Sequence, residues 1–405
     1  MAAVCASYHP SPLDAARFWE KQRSRHVVDG QVPSGYPKNL TSPLVWTREE
    51  AEEKNTDWFF ILTGDDIDAV NSALSRFEGA GHEMSSISTE TFALPHGLSS
   101  RLREVSNQCY RGIGFQVLRG LDPSQYTAKQ NAIVYAGIAA HIAPRRGFLD
   151  IEYERVMGRL QILILQCQVR NFQRGRDASH RGTAPAFTDA AVSFHTDNCE
   201  ILSLYCLSAP FSGGRTLLAS SWQIYNELAK KNPKILKTLT EPWVLDTFKD
   251  YSKAPPVTRP LLEKTEEASV LLRFSRYPVT GWQRKRSSAL PAPTQVQIDA
   301  LDALQFLAAS NCISLPMEKG DMVFINDMAL VHARESFDED EGRAQRHLLK
   351  MYLHDPSQHW PVAPSARSKW ARMYGANRPN GERQESFEEA YDSTGGDDER
   401  AQTNG

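Results

Sequence analysis

His195 and Asp197 stand two residues apart in the stretch SFHTDNCEILSLYCL, just ahead of alternating apolar residues. In a strand, residues i and i+2 project from the same face, so this spacing presents an imidazole nitrogen beside a carboxylate oxygen. One further histidine completes the two-histidine, one-carboxylate set that holds non-heme Fe(II) and leaves coordination positions open. The chain has 11 histidines, so a His-x-Asp triplet arises easily by chance and decides nothing alone. His195 is nevertheless the only histidine followed two positions later by an acid.

A third ligand has to come from a strand far along the chain, because closed β architectures bring distant strands together. The stretch GDMVFINDMALVHARESF supplies one: Gly320 and Asp321 make a turn, an apolar strand follows, and His332 sits just after it. His347, His354 and His359 compete, but none ends such a strand. An iron centre that activates O2 needs electrons beyond those of its substrate, and 2-oxoglutarate is the usual donor. Its 1-carboxylate and keto oxygen chelate the metal, and its far carboxylate is left for a cation. Arginine matches that carboxylate with two parallel hydrogen bonds from its planar fork. Arg346 opens the strand-like run RHLLKMYL, and Arg343 lies just ahead of it in an acidic turn.

These residues need elements to position them. At 405 residues the chain is long enough for one large domain or two, and 41% hydrophobic with 23% charged residues is ordinary for a globular protein. A net charge of -3 gives no sign of a nucleic-acid surface. Six cysteines without framework spacing suit a reducing compartment. No secretory signal and no membrane-spanning run is evident, so the expected location is the cytoplasm.

A short helix is expected around Leu13–Gln22. TGDDIDAVNSALSRFEGAG predicts a helix capped by Thr63 or Asp65, with Ile67, Val70, Leu74 and Phe77 as its apolar stripe. Two more helices are expected over SSRLREVSNQCYRGIG and SQYTAKQNAIVYAGIAAHIAP, with the strand FQVLRGL between them. From about Leu160 the period changes to two, with helical insertions at SSWQIYNELAKKNPKILKTL and PTQVQIDALDALQFLAAS and late strands at GDMVFIND and RHLLKMYL. Helices early and strands later give an α+β chain around a β core. Residues 1–376 are expected as one oxygenase domain, with a helical part to 110 and a core over 111–356. Residues 377–405 are expected as a disordered acidic tail.

The ordered set of motifs resembles the TauD/TfdA-like (taurine dioxygenase-like) Fe(II)/2-oxoglutarate-dependent oxygenases over roughly residues 110 to 356. YRGIGFQVLRGL resembles the segment entering that family's core, FHTD its first two ligands, and SGGRTLLAS its Gly-Gly-x-Thr stretch. INDMALVHARESF is similar to its distal-histidine region and RHLLKMYL to its arginine strand. The resemblance implies a double-stranded β-helix (jelly-roll) core flanked by helices. It also implies iron on His195, Asp197 and His332, and 2-oxoglutarate on Thr216 and Arg346. In some members a second arginine meets an acidic group of the substrate, which Arg343 would do here. LLRFSRYPVTGW resembles a strand and turn near the substrate, which makes Arg276 a further candidate.

The implied activity is oxidation of an unactivated C–H bond, by hydroxylation, desaturation or cyclisation, with O2 as cosubstrate and succinate and CO2 as coproducts. An amino acid, a small carboxylic acid or a natural-product intermediate fits as substrate, with secondary metabolism as the setting. A metal-dependent hydrolase would bring further clustered carboxylates or histidines, and none is evident. A catalytically silent jelly-roll binding protein differs by releasing no succinate. Losing a charge-assisted fork to a buried carboxylate costs on the order of 2–5 kcal/mol. Arg346→Ala is therefore expected to raise the Michaelis constant for 2-oxoglutarate by roughly 30-fold or more, and Arg343→Ala to leave it within about threefold. Measuring 2-oxoglutarate dependence in both variants checks this, and a large defect in Arg343→Ala would reverse the assignment.

Overall fold

Threonines start the helices. In the computed structural model, which describes residues 6–24, 30–147, 167–170, 185–248, 250–253, 255–265, 270–338 and 345–375, Thr63, Thr127 and Thr294 each close a capping box. At Thr63 the hydroxyl accepts from the Asp66 N–H, and Asp66 accepts from the Thr63 N–H at 2.9 Å, satisfying two donors that a helix start leaves open. The helix runs over Gly64–Gly79 and buries Val70, Leu74 and Phe77 as its stripe predicts. The expected N-terminal helix spans Pro12–Ser24, and the next two span His96–Arg111 and Ala128–Ile142. The expected helical run from Ser220 divides into Ser221–Lys231 and Pro233–Thr240, because Pro233 lacks the N–H that would continue it. Among the described residues no helix is long and apolar enough to cross a membrane.

Two sheets face each other as a jelly roll. The larger is seven-stranded: along its main path Phe59–Ile61, Phe115–Arg119, Met322–Asn326, Ile201–Ser208, His347–His354 and Arg145–Gly147 lie side by side, and Cys167–Arg170 also pairs with His347–His354. The smaller orders Ile313–Leu315, Thr216–Ser220, Leu330–Arg334 and Val192–His195, so the last of these is an edge strand. Strand alternation sorts the side chains. From His347–His354, Leu349, Met351 and Leu353 pack outward with residues of the three early helices, and Leu348, Lys350 and Tyr352 alternate with them. From Leu330–Arg334, Val331 and Ala333 pack with residues of the helix Gln295–Asn311, so Leu330, His332 and Arg334 lie on the other face.

Two local expectations change. His332 does not follow the apolar strand but lies inside a second one, Leu330–Arg334. The Asn326 side chain accepts from the N–H groups of Met328 and Ala329 and turns the chain back between the two strands. Asp197 likewise lies beyond the strand, which ends at His195, and Asn198 at φ 58° turns the chain after it. The expected tail lies outside the described residues.

The turn foreseen at Gly320 and Asp321 joins the sheets. Gly320 has φ +95°, and a Cβ there would stand 1.9 Å from the Leu121 carbonyl oxygen. Asp321 beside it takes the Arg119 guanidinium at 2.8 and 2.7 Å. Gly320→Ala therefore combines a left-handed backbone with a main-chain clash, and a loss of roughly 1–3 kcal/mol is expected. A thermal midpoint lowered by several degrees checks it, and an unchanged midpoint would mean that the turn relaxes freely.

Candidate active site

His195 and His332 are direct cross-strand partners, with ring centroids 4.2 Å apart. Asp197 reaches back from the turn, placing Oδ1 3.9 Å from His195 Nε2 and Oδ2 3.6 Å from His332 Nε2. One ligand atom from each residue falls within 4.8 Å of the others. The three are 7%, 2% and 7% exposed, so the donor set is closed off from bulk water.

A hydrogen bond behind one imidazole and a carboxylate behind the other prepare the two rings. His195 Nδ1 lies 2.9 Å from the Ser193 carbonyl oxygen, which can only accept, so Nδ1 carries the hydrogen and Nε2 presents a lone pair. Burial, reinforced by the charge on His332, pushes His195 down to about 3 and keeps that lone pair available. At His332 burial also opposes charge, but Asp197 and Asp327 outweigh it and raise the ring to about 9. His332 Nε2 would have to give up its proton to hold a divalent cation, and Asp327, 3.5 Å from Nδ1, would orient the ring. Asp327 also accepts from the N–H groups of Asp197 at 3.0 Å and Cys199 at 3.2 Å. One buried carboxylate thus positions two of the three clustered residues.

Neither carboxylate oxygen of Asp197 has a hydrogen-bond partner among the described residues, although the residue is buried. An anionic oxygen in that position calls for a cation. Oδ2 lies 2.7 Å from the Lys350 ammonium, which crosses from the larger sheet. Burial alone would raise this carboxyl; Lys350 and the two imidazoles hold it well below the usual range. Two imidazoles and one ionised carboxylate fit Fe(II) by the chemistry of the donor set.

A second group of cations lies at the other end. Thr216 is buried directly opposite Arg334 in the smaller sheet. Arg334 and Arg346 are both buried and share the Phe337 ring, at 4.8 and 5.3 Å from its centroid. Gly214 borders the pair: a Cβ there would crowd Pro210 at 3.0 Å and Phe337 at 3.1 Å and touch Arg346 Nε at an ordinary 3.6 Å. Burial, then the charge of Arg346, lowers Arg334 to about 9. Arg334 donates to the carbonyls of Pro185, Ala186, Thr188 and Ala190, and no carboxylate pairs with it among the described residues. Two guanidiniums side by side in the interior suit an anion placed between them and Thr216.

Of the remaining candidates, Arg343 lies outside the described residues. Arg276 is 1% exposed and is not joined to the triad: it donates to the Ser7 carbonyl at 2.6 Å and pairs with Asp302 at 2.8 Å. With its charge balanced, it ties the N-terminal segment to the helix Gln295–Asn311. Asp327, Lys350 and Arg334 are not singled out by the sequence. Alternation would have found two of them, since Arg334 is two residues from His332 and Lys350 shares the face of Leu348 and Tyr352.

Residues 78–352 match the model of the family described as taurine catabolism dioxygenase TauD, TfdA family. The taurine hydroxylase-like protein SAT17 of Stachybotrys chartarum is 32% identical over 374 residues, which are 92% of this chain and 93% of that protein. Among solved structures, asparagine oxygenase in complex with Fe(II), 2S,3S-3-hydroxyasparagine and succinate is similar, with a TM-score of 0.53 and 16% identity. That match covers 73% of this chain and 93% of the other. The non-heme iron oxygenase OrfP in complex with Fe and alpha-ketoglutaric acid aligns with a TM-score of 0.51 and 17% identity, covering 73% and 94%.

Groups that orient metal-bound histidines typically contribute 10–100-fold to metal affinity. Asp327→Ala is expected to weaken Fe(II) binding by about that factor, read by anaerobic titration of the metal-free protein. Unchanged affinity would reduce Asp327 to a backbone clamp.

Proposed function

Because this chain belongs to the TauD/TfdA family of dioxygenases, we propose that His195, Asp197 and His332 hold its iron and that Thr216 and Arg346 hold 2-oxoglutarate. The protein is an Fe(II)/2-oxoglutarate-dependent dioxygenase acting on a small molecule. The observation that carries the residue assignment is the buried His-Asp-His cluster, whose carboxylate oxygens lack any hydrogen-bond partner among the described residues.

When bound, iron with 2-oxoglutarate and O2 supplies the oxidation: the keto acid leaves as succinate and CO2, and one oxygen atom enters a substrate C–H bond. The chain's own residues bind and orient. Ser193 and Asp327 would fix the two imidazoles, and Lys350 would keep Asp197 ionised as the third donor. Arg346 grips the far carboxylate of 2-oxoglutarate, with the Thr216 hydroxyl beside it. Arg334 secures residues 185–190, which lead into the His195 strand, and adds positive charge. The closed interior keeps water from the reacting groups.

An amino acid, a small carboxylic acid or a natural-product intermediate is the substrate class we favour, and the hydroxyasparagine bound by asparagine oxygenase supports an amino-acid-sized molecule. We also place the enzyme in the cytoplasm and in secondary metabolism; the unpaired Cys109, Cys199, Cys206 and Cys312 accord with a reducing compartment. Residues 1–376 form one oxygenase domain in this reading.

Succinate formation that requires Fe(II), O2 and 2-oxoglutarate together is the expected outcome with the isolated enzyme. His195→Ala and His332→Ala should each abolish it and remove most Fe(II) affinity, since two ligands hold a divalent ion poorly. Near-normal turnover in either variant would reject the triad.

A further inference from the structure

A third set of cations lies on the Asp197 side of the site. Arg273 precedes Phe274, whose carbonyl accepts from the Thr196 N–H at 2.7 Å and whose N–H donates to the Thr196 hydroxyl at 3.1 Å. Arg273 is thus fixed to the residue between two of the proposed iron ligands. Its guanidinium is buried and pairs with Glu263 and Ser365, yet its Nε has no hydrogen-bond partner among the described residues. Arg259 crosses to it, donating to the Arg273 carbonyl at 3.0 Å and to the Pro260 carbonyl at 3.0 Å, with no carboxylate partner.

Lys369 comes from the helix Arg367–Tyr374, which is docked by the Tyr374 hydroxyl accepting from the Glu200 N–H at 3.2 Å. The Lys369 ammonium is half-buried and has neither a hydrogen bond nor an ion pair among the described residues. Ser365, which Arg273 contacts, lies one helical turn before Lys369 and so puts it on the same side, where burial first, then the charges of Arg259 and Arg273, lower its ammonium to about 8. Ionised, the cluster holds three cations against one bonded carboxylate, Glu263. Two positive charges therefore stand uncompensated in a sheltered place beside the metal ligands. A singly charged carboxylate would leave one of them; a dianion balances both.

We propose that Arg259, Arg273 and Lys369 anchor the substrate by a doubly charged oxyanion group of the phosphate or phosphonate type. This rests on the oxygenase reading above and names the substrate's charged end. The group would sit at the Asp197 side, across the site from the Arg334 and Arg346 pair, and so would not compete with 2-oxoglutarate.

The test uses the full-length anaerobic enzyme loaded with Fe(II) and 2-oxoglutarate, with inorganic phosphate, methylphosphonate and acetate as probes in calorimetric titrations. Phosphate and methylphosphonate are expected to bind at least about tenfold tighter than acetate. Lys369→Met should weaken phosphate binding by about tenfold or more, and Lys369→Arg should restore it. Because Lys369 has no partner to lose, the Met variant should keep both its melting midpoint and its 2-oxoglutarate affinity. Acetate binding as well as phosphate, or phosphate binding unaltered in Lys369→Met, would overturn the anchor. Failure of the unmodified enzyme to bind 2-oxoglutarate would instead overturn the oxygenase reading on which the anchor rests.

Discussion

The contact between Asp197 and Lys350 is the one on which the interior depends. An ionised carboxylate taken out of water loses several kcal/mol of hydration, and a nearby ammonium offsets that only at close range. Here the partner comes from the opposite sheet, at 2.7 Å, so one ion pair both neutralises the ligand and sets the spacing of the two layers at that point. The remaining interior charges follow the same logic. His332 is balanced by Asp197 and Asp327, and Arg334 by backbone carbonyls.

Much of this was legible in the sequence because the signals were local. Capping threonines, the apolar stripe of Gly64–Gly79 and the Gly320 turn are each written within a few neighbouring residues. The triad could be found because its residue types are rare in that order. What stayed hidden depends on residues far apart. Asp327 acts on the backbone of Asp197 and Cys199, well over a hundred residues earlier, and no local pattern marks that partnership. The helix Ala128–Ile142 shows no apolar stripe because it is buried on nearly every side between the sheet and its neighbouring helices. Asp197 and His332 were assigned to the wrong kind of segment because side-chain hydrogen bonding by Asn326 and the turn at Asn198 overrode the period-two pattern.

Arg276 illustrates how a buried charge can mislead. An arginine in a segment near the substrate reads as a binding group, yet burial selects equally for a structural clamp. Asp302 and the Ser7 carbonyl identify it as the latter. Arg273, three residues earlier, is the reverse case. It looks like an ordinary strand residue in sequence, and only its unpartnered Nε and the Arg259 guanidinium bonded to its carbonyl distinguish it.

Among the described residues the strand carrying His195 lies at the edge of its sheet, and the segment around Tyr8 bonds to it. The Tyr8 hydroxyl accepts from the Ser193 N–H at 3.1 Å, and the Ser193 hydroxyl donates to the Tyr8 carbonyl at 2.9 Å. That same Ser193 carbonyl sets the tautomer of the first histidine. A surface strap at the beginning of the chain is therefore continuous, through one serine, with the electron pair that the imidazole offers to a metal. Docking of that strap and the readiness of the His195 ring to take up a cation are therefore properties of one seam.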